Sequence, residues 1–157
     1  MRFRKSSSEF RVPSSELRQD FFTVAGLIMA TIEKFEDLES WKIAREVTKK
    51  IYQITSIGDF ARDFGLKDQI RRSVVSIMSN IAEGFERDGN KEFINFLSIA
   101  KGSCGEARSQ IYVAIDQGFI STEEFGWIND NLKLTGKLIG GFMNYLRQSE
   151  LKGKKFK

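Results

Sequence analysis

The stretch Gly65-Leu66-Lys67-Asp68-Gln69-Ile70-Arg71-Arg72-Ser73-Val74-Val75-Ser76-Ile77-Met78-Ser79-Asn80-Ile81-Ala82-Glu83-Gly84 decides how the chain folds. At about 100° per residue, Leu66, Ile70, Val74, Ile77, Met78, Ile81 and Phe85 share one face of a helix, and Gln69, Arg72, Ser73, Ser76, Asn80 and Glu83 share another. The first face is core. The second repeats short hydrogen-bonding groups and is poor in the long charged side chains of a solvated surface, so it calls for a partner.

The rest of the sequence is read outward from that helix. Its 157 residues suit one main domain, with a single Pro13, a single Cys104 and no histidine. One cysteine forms no intrachain disulfide, and a zinc or di-iron site lacks its usual ligands, so the composition points to no metal and no cofactor. A reducing, cytoplasmic setting is the expectation. The net charge is +4, yet residues 29–151 carry 16 basic and 18 acidic side chains, while 152–157 hold four lysines and no acid. Attraction to nucleic acid must therefore come from local patches or from the tail.

Three further helices are expected around the first. Residues 39–56 place Ala44, Val47, Ile51 and Ile54 on a core stripe, with Trp41, Thr48, Tyr52 and Thr55 beside it and Asp37 or Ser40 as cap. Trp41 and Tyr52 read as packing residues with a polar tip. Asp88-Gly89-Asn90 supplies a stop, a left-handed residue and a new cap between helices 65–87 and 91–117. Phe93, Phe96, Leu97, Ala100, Cys104, Ala107, Ile111, Ala114 and Ile115 form the core arc of the latter, which makes Cys104 a small core residue.

A capping box, Ser121-Thr122-Glu123-Glu124, opens the last helix, 122–148. Its apolar arc, Phe125, Ile128, Leu132, Ile139, Phe142 and Leu146, is widened by Trp127, Leu134, Leu138 and Tyr145. That is broader than one bundle core requires, so part of it is expected to meet another chain. Four amphipathic helices on short turns predict an all-α, antiparallel up-down-up-down four-helix bundle over residues 35–149. Residues 1–34 read as a poorly structured extension and 150–157 as a basic tail. Residues 1–28 are either a loose tail or an upstream extension before a true start at Met29; their apolar run is too short to span a bilayer, and no membrane role is expected.

Candidate functional residues fall into three groups. Gln69, Ser76, Asn80 and Glu83, facing Ser103, Glu106 and Gln110, suit a hydrogen-bonded network between helices or subunits, or alternatively the lining of a polar pocket. Ser98, Gly102, Gly105 and Ser109, at i, i+4, i+7 and i+11, and Gly136 with Gly140, suit close approach of another backbone. Two glycines inside a helix cost about 1 kcal/mol each relative to alanine, which such an approach would offset. The expected use is a subunit interface. Arg71, Arg72, Lys101 and Arg108, with Lys152, Lys154 and Lys155 of the tail, are the candidate nucleic-acid contacts. Glu83 and Glu106 are the nearest thing to an acid/base pair, without a nucleophile, oxyanion donors or a phosphate-cradling loop beside them; no enzyme is expected.

Phe35-Glu36-Asp37-Leu38 with Trp41, Tyr52 with Thr55, Gly65-Leu66-x-x-Gln69-Ile70-Arg71-Arg72, Ser76-Ile77-x-Ser79-Asn80-Ile81-Ala82-Glu83-Gly84 and Phe96-Leu97-x-Ile99-Ala100-x-Gly102-Ser103-x-x-Glu106 carry a resemblance. The sequence resembles the 23S rRNA intervening-sequence protein family from Phe35 to about Leu146. The resemblance implies an antiparallel four-helix bundle assembling as a ring-shaped homopentamer, bacterial, in some members encoded within 23S rRNA genes, and not an enzyme. The accessory variability determinant of diversity-generating retroelements is similar in fold and binds a reverse transcriptase and nucleic acid through a basic surface. The slightly acidic folded region counts against that specific role. The resulting expectation is a self-assembling, RNA- or ribosome-associated module, with a protein-protein adaptor for another client as the alternative.

Overall fold

The computed structural model describes residues 32–151, with side chains to Ser149. The expectations for residues 1–31 and for Lys152, Lys154 and Lys155 lie outside the described residues. Four α-helices carry the described chain: α1 (Glu39–Ile54), α2 (Phe64–Glu86), α3 (Asn90–Asp116) and α4 (Thr122–Leu151). Short 3-10 turns at Phe35–Asp37 and Phe60–Arg62 precede α1 and α2. No strand occurs among the described residues, and the protein is all-α.

Each helix packs on two others, α1 and α3 both on α2 and α4, which closes a four-helix bundle. Cross-helix pairs give the directions. Ser73 meets Glu106, Ser76 meets Ser103, and Gly84 meets Phe93 and Phe96, so the numbers rise on α2 as they fall on α3. Between α3 and α4 the same holds: Asn90 with Ser149, Cys104 with Gly136, Arg108 with Asn129, Tyr112 with Phe125. Both pairs are antiparallel, as the three- and five-residue connections between them require.

The core is the set of apolar arcs read from the sequence. Val47, Ile51, Ile70, Val74, Ile77, Ile81, Leu97, Ala107, Ile111, Ile128, Leu132, Ile139 and Leu146 are fully buried. Removing one such aliphatic side chain costs about 2–5 kcal/mol, because a close-packed interior relaxes only partly into the cavity. Aromatic rings close the ends of this core. Phe93 sits edge-on to both Phe85 (5.8 Å) and Phe142 (5.1 Å) at one end, and Phe60 stacks on Phe119 at 5.2 Å at the other.

The helix ends follow the sequence in part. Gly118 takes φ +71° and ends α3, and Ser121 and Glu124 form the reciprocal capping box, each backbone N–H donating to the other's side chain at 3.1 Å. Gly89 adopts φ +102° in the α2–α3 turn. Asn90, however, is not the cap but the first residue of α3. Its side chain is buried, and its Nδ2 donates to Ser149 Oγ at 3.0 Å, tying the start of α3 to the end of α4. Nor do Asp37 and Ser40 cap α1. Leu38 holds that position without a side-chain bond, while Asp37 Oδ2 accepts from the N–H groups of Glu33 and Lys34 in the preceding turn. Asp63 caps α2, accepting from Leu66 N at 2.9 Å. Helix α4 runs to Leu151, three residues past the expected 148.

At Gly84, α2 and α3 approach too closely for a side chain. A Cβ there would stand 2.7 Å from Phe96 Cβ and 2.8 Å from Phe93 Cδ2, and Phe96 Cβ cannot retreat without moving its backbone. Gly84→Ala is expected to lower stability by about 1–3 kcal/mol despite alanine's higher helix propensity, read as a lowered urea midpoint at unchanged slope.

Glu124 has a second role besides its cap. Its Oε1 accepts from Lys50 Nζ at 2.8 Å, joining α4 to α1. That hydrogen bond, and next the Ser121 N–H, hold the carboxyl below the ordinary value of 4.5. A depressed folded-state value contributes stability above the unfolded pKa, lost as pH falls through the folded one. Below pH 4.5 the wild type should therefore lose stability more steeply than Glu124→Gln, measured by thermal melts across pH 3–6.

Candidate functional site

The polar stripe of α2 lies at its seam with α3. Ser76 Oγ and Ser103 Oγ are 2.9 Å apart, and Asn80 Nδ2 donates to Ser76 Oγ at 3.0 Å and to Ser76 O at 2.8 Å. Ser103 also donates back to Ile99 O at 3.1 Å. One turn away, Ser73 Oγ donates to Gln69 O at 3.1 Å and reaches Glu106 Oε2 at 3.5 Å. Ser73, which the network read from the sequence omitted, is thus its link to Glu106. These serines are small enough to sit between two closely spaced helices while their hydroxyls satisfy one another, which is the condition for burying them.

Two members of the expected network stand apart. Glu83 is exposed and accepts from Arg87 Nη2 at 2.7 Å within its own helix. Gln69 contributes only its backbone carbonyl, its side chain being exposed. Ser73, the contact of Glu106, lies ten residues from Glu83, about 15 Å along α2, so the two carboxylates form no acid/base pair. Gln110 Oε1 is buried without a hydrogen-bond partner among the described residues. Among the described residues no group of three or more His, Cys, Asp or Glu is placed to hold a metal ion. Cys104 is 3% exposed, and burial pushes its thiol up to about 12, away from thiolate chemistry at neutral pH.

The four candidate cations of the helices do not form one patch. Arg71 folds onto the end of α1: Nε donates to Thr55 Oγ1 at 2.8 Å, Nη2 to Ser56 Oγ at 2.9 Å, and the guanidinium lies 4.5 Å from the centre of the Tyr52 ring. A cation there also meets the partial negative charge of the α1 C-terminus. Arg108 donates through Nε to Asn129 Oδ1 at 3.2 Å on α4, and Lys101 Nζ lies 3.5 Å from where a Cβ on Gly140 would stand. Arg71 is therefore at the α1/α2 seam and Lys101 and Arg108 at the α3/α4 seam, on opposite sides of the bundle. Arg72 is exposed on α2.

The small-residue groups also separate. Ser98, Gly102, Gly105 and Ser109 are exposed on α3, and a Cβ on either glycine would meet nothing within 4 Å. Ile99, Tyr112 and Val113, all exposed, flank them. Gly136 and Gly140 instead face α3 of the same chain, against Cys104 Cβ at 3.9 Å and Lys101. A Cβ at either would be in ordinary van der Waals contact with α3, so they differ from the open α3 stripe. The widened arc of α4 does reach the surface at Trp127 and Leu134.

The described chain is thus a four-helix bundle with a polar α2/α3 seam and an α3 face that no described residue covers. The model of the 23S rRNA-intervening sequence protein family matches residues 36–141, and the chain belongs to that family. A crystal structure of a protein of unknown function from the S23 ribosomal protein family of Bacteroides thetaiotaomicron is similar to it. That likeness has a TM-score of 0.61 and 25% identity, and covers 66% of this chain and 97% of the other. No curated protein matches the chain. No described helix is long and apolar enough to cross a membrane.

The Ser76–Ser103 contact can be measured directly. In a double-mutant cycle of Ser76→Ala and Ser103→Ala, each single change is expected to cost about 0.5–1.5 kcal/mol and the pair less than their sum, because the second removal no longer strands a hydroxyl.

Proposed function

We propose that this protein is a self-assembling four-helix bundle without catalytic activity of its own, acting as a scaffold or binding module on RNA or a ribonucleoprotein, in pentameric form. The observation that carries the assembly is the α3 face. Gly102 and Gly105 weaken the helix that contains them, and among the described residues nothing approaches them closely enough to offset that. A neighbouring subunit packed on the stripe would gain close backbone approach there and cover Ile99, Tyr112 and Val113. The RNA association draws support from the family's link to 23S rRNA. The exposed Trp127 and Leu134 favour a second reading, in which α4 presents an apolar strip to a protein client.

Light scattering tests the assembly. The wild type is expected at a multiple of 18.0 kDa, near five, at micromolar concentration, and Gly105→Leu should shift it towards the monomer while keeping its helix content. A wild type that persists as a well-behaved monomer refutes the proposal.

A further inference from the structure

Three of the cation–aromatic pairs lie along the groove between α1 and α2. Arg45 stands 5.8 Å from the centre of the Trp41 ring, Arg71 4.5 Å from Tyr52, and Lys67 4.4 Å from Phe64. Trp41, Arg45, Thr48 and Tyr52 occupy one flank of α1 at i, i+4, i+7 and i+11, and Thr48 Oγ1 reaches Val74 O of α2 at 3.4 Å, which places that flank at the seam. Phe64 is 69% exposed and Tyr52 43%, while Trp41 is half-buried with Phe35 edge-on to it at 5.1 Å and Arg45 exposed beside it. Along the helix axes Phe64 lies about 10 Å to one side of the Tyr52–Arg71 pair and Trp41 about 16 Å to the other.

The charge of this groove is one-sided. The acids of α1, Glu39 and Glu46, lie off the stripe and pair with Lys42 (3.5 Å) and Lys49 (2.7 Å). Asp63 is committed to capping α2. Asp68, exposed on α2, and Glu36, exposed in the turn whose Phe35 packs on Trp41, are carboxylates without an ion pair among the described residues. Arg71 uses Nε and Nη2 in holding Thr55, Ser56 and the Tyr52 carbonyl, and Nη1 makes no hydrogen bond among the described residues.

We infer that the α1/α2 groove binds single-stranded RNA, its bases stacking on Phe64, Tyr52 and Trp41 and its phosphates meeting Lys67, Arg71 and Arg45. This rests on the RNA-associated reading above and gives it a site that the spread of Arg72, Lys101 and Arg108 does not. Aromatic faces alternating with cations are the combination that single strands use and duplexes, whose bases are already stacked, cannot. A cation held over a ring keeps the ring oriented and puts positive charge where the phosphate must pass. The α3 stripe belongs to a helix that packs on α2 and α4, so the stripe itself lies outside the groove.

The test is fluorescence anisotropy of the full chain with a labelled single-stranded oligouridylate, a duplex of equal length, and polyglutamate as competitor. Phe64→Leu and Tyr52→Leu keep apolar cover but remove the ring; each is expected to weaken single-strand binding about fivefold or more. Arg45→Gln should reduce the log–log salt slope by about 0.7, and Lys137→Gln on α4 should leave binding unchanged. Circular dichroism melts confirm that the variants fold. Ring variants that bind as tightly as the wild type, duplex bound as well as the single strand, or polyglutamate displacing RNA at equal charge would each overturn the groove assignment while sparing the RNA association. A wild type that binds no RNA overturns both, and leaves the assembly to be judged by its mass alone.

Discussion

The close approach of α2 and α3 is the constraint from which the rest of the bundle follows. At Gly84 there is no room for a Cβ between the α2 backbone and the rings of Phe93 and Phe96. Gly89, at φ +102°, turns the chain only three residues beyond the end of α2. Two helices pinned this tightly at one end can carry only short side chains along their seam, and Ser73, Ser76 and Ser103 meet that demand while satisfying their own hydroxyls. A hydrogen bond between fixed positions on both helices also selects one register, which apolar contacts alone would specify less sharply. With α2 and α3 set, α4 folds back on α3 through the Asn90–Ser149 and Arg108–Asn129 bonds, and α1 is held on α2 by Arg71.

How much of this was legible depended on whether a signal was local. The apolar arcs, the stops at Gly89 and Gly118 and the Ser121–Glu124 box are properties of neighbouring residues, and the four helices lie within a few residues of where periodicity puts them. Asn90 shows the limit: a cap residue by type, it is drawn into the helix by a partner 59 positions away. Long cations mislead in the same way. Arg71 and Arg108 read as surface charges, yet both have stems long enough to fold back onto a neighbouring helix, and no local pattern announces Thr55 or Asn129 as the acceptor.

The glycines make the same point about packing. Gly102 and Gly105 on α3 and Gly136 and Gly140 on α4 look alike as spaced small residues, but one pair faces open space and the other its own bundle. Periodicity assigns a residue to a face; it does not say which helix that face meets. The Ser76–Asn80–Ser103 part of the seam was readable because these residues sit on long, strongly periodic helices joined by one short turn, whereas Gln69 and Glu83, on the same stripe by spacing, lie outside it. Ser73 shares the polar face by spacing, but nothing local shows that Glu106, across the seam, is its acceptor.

A bundle whose helical region is slightly acidic can still present a local basic surface, because ion pairs redistribute charge over short distances. Where Glu39 and Glu46 pair with lysines on the outer side of α1, those carboxylates and ammonium groups largely cancel, and the α1/α2 seam is left with Arg45, Lys67 and Arg71 against Asp63 and Asp68. Those three are held by rings and by neutral oxygens, Thr55 Oγ1 and the carbonyl of Ala61, and among the described residues no carboxylate pairs with them. Net charge is therefore a poor guide to what this protein can bind. The informative quantity is which cations are held by neutral groups and where: Arg108 on Asn129 lies at the α3/α4 seam, whereas Arg45, Lys67 and Arg71 share the α1/α2 seam with Tyr52 and Phe64.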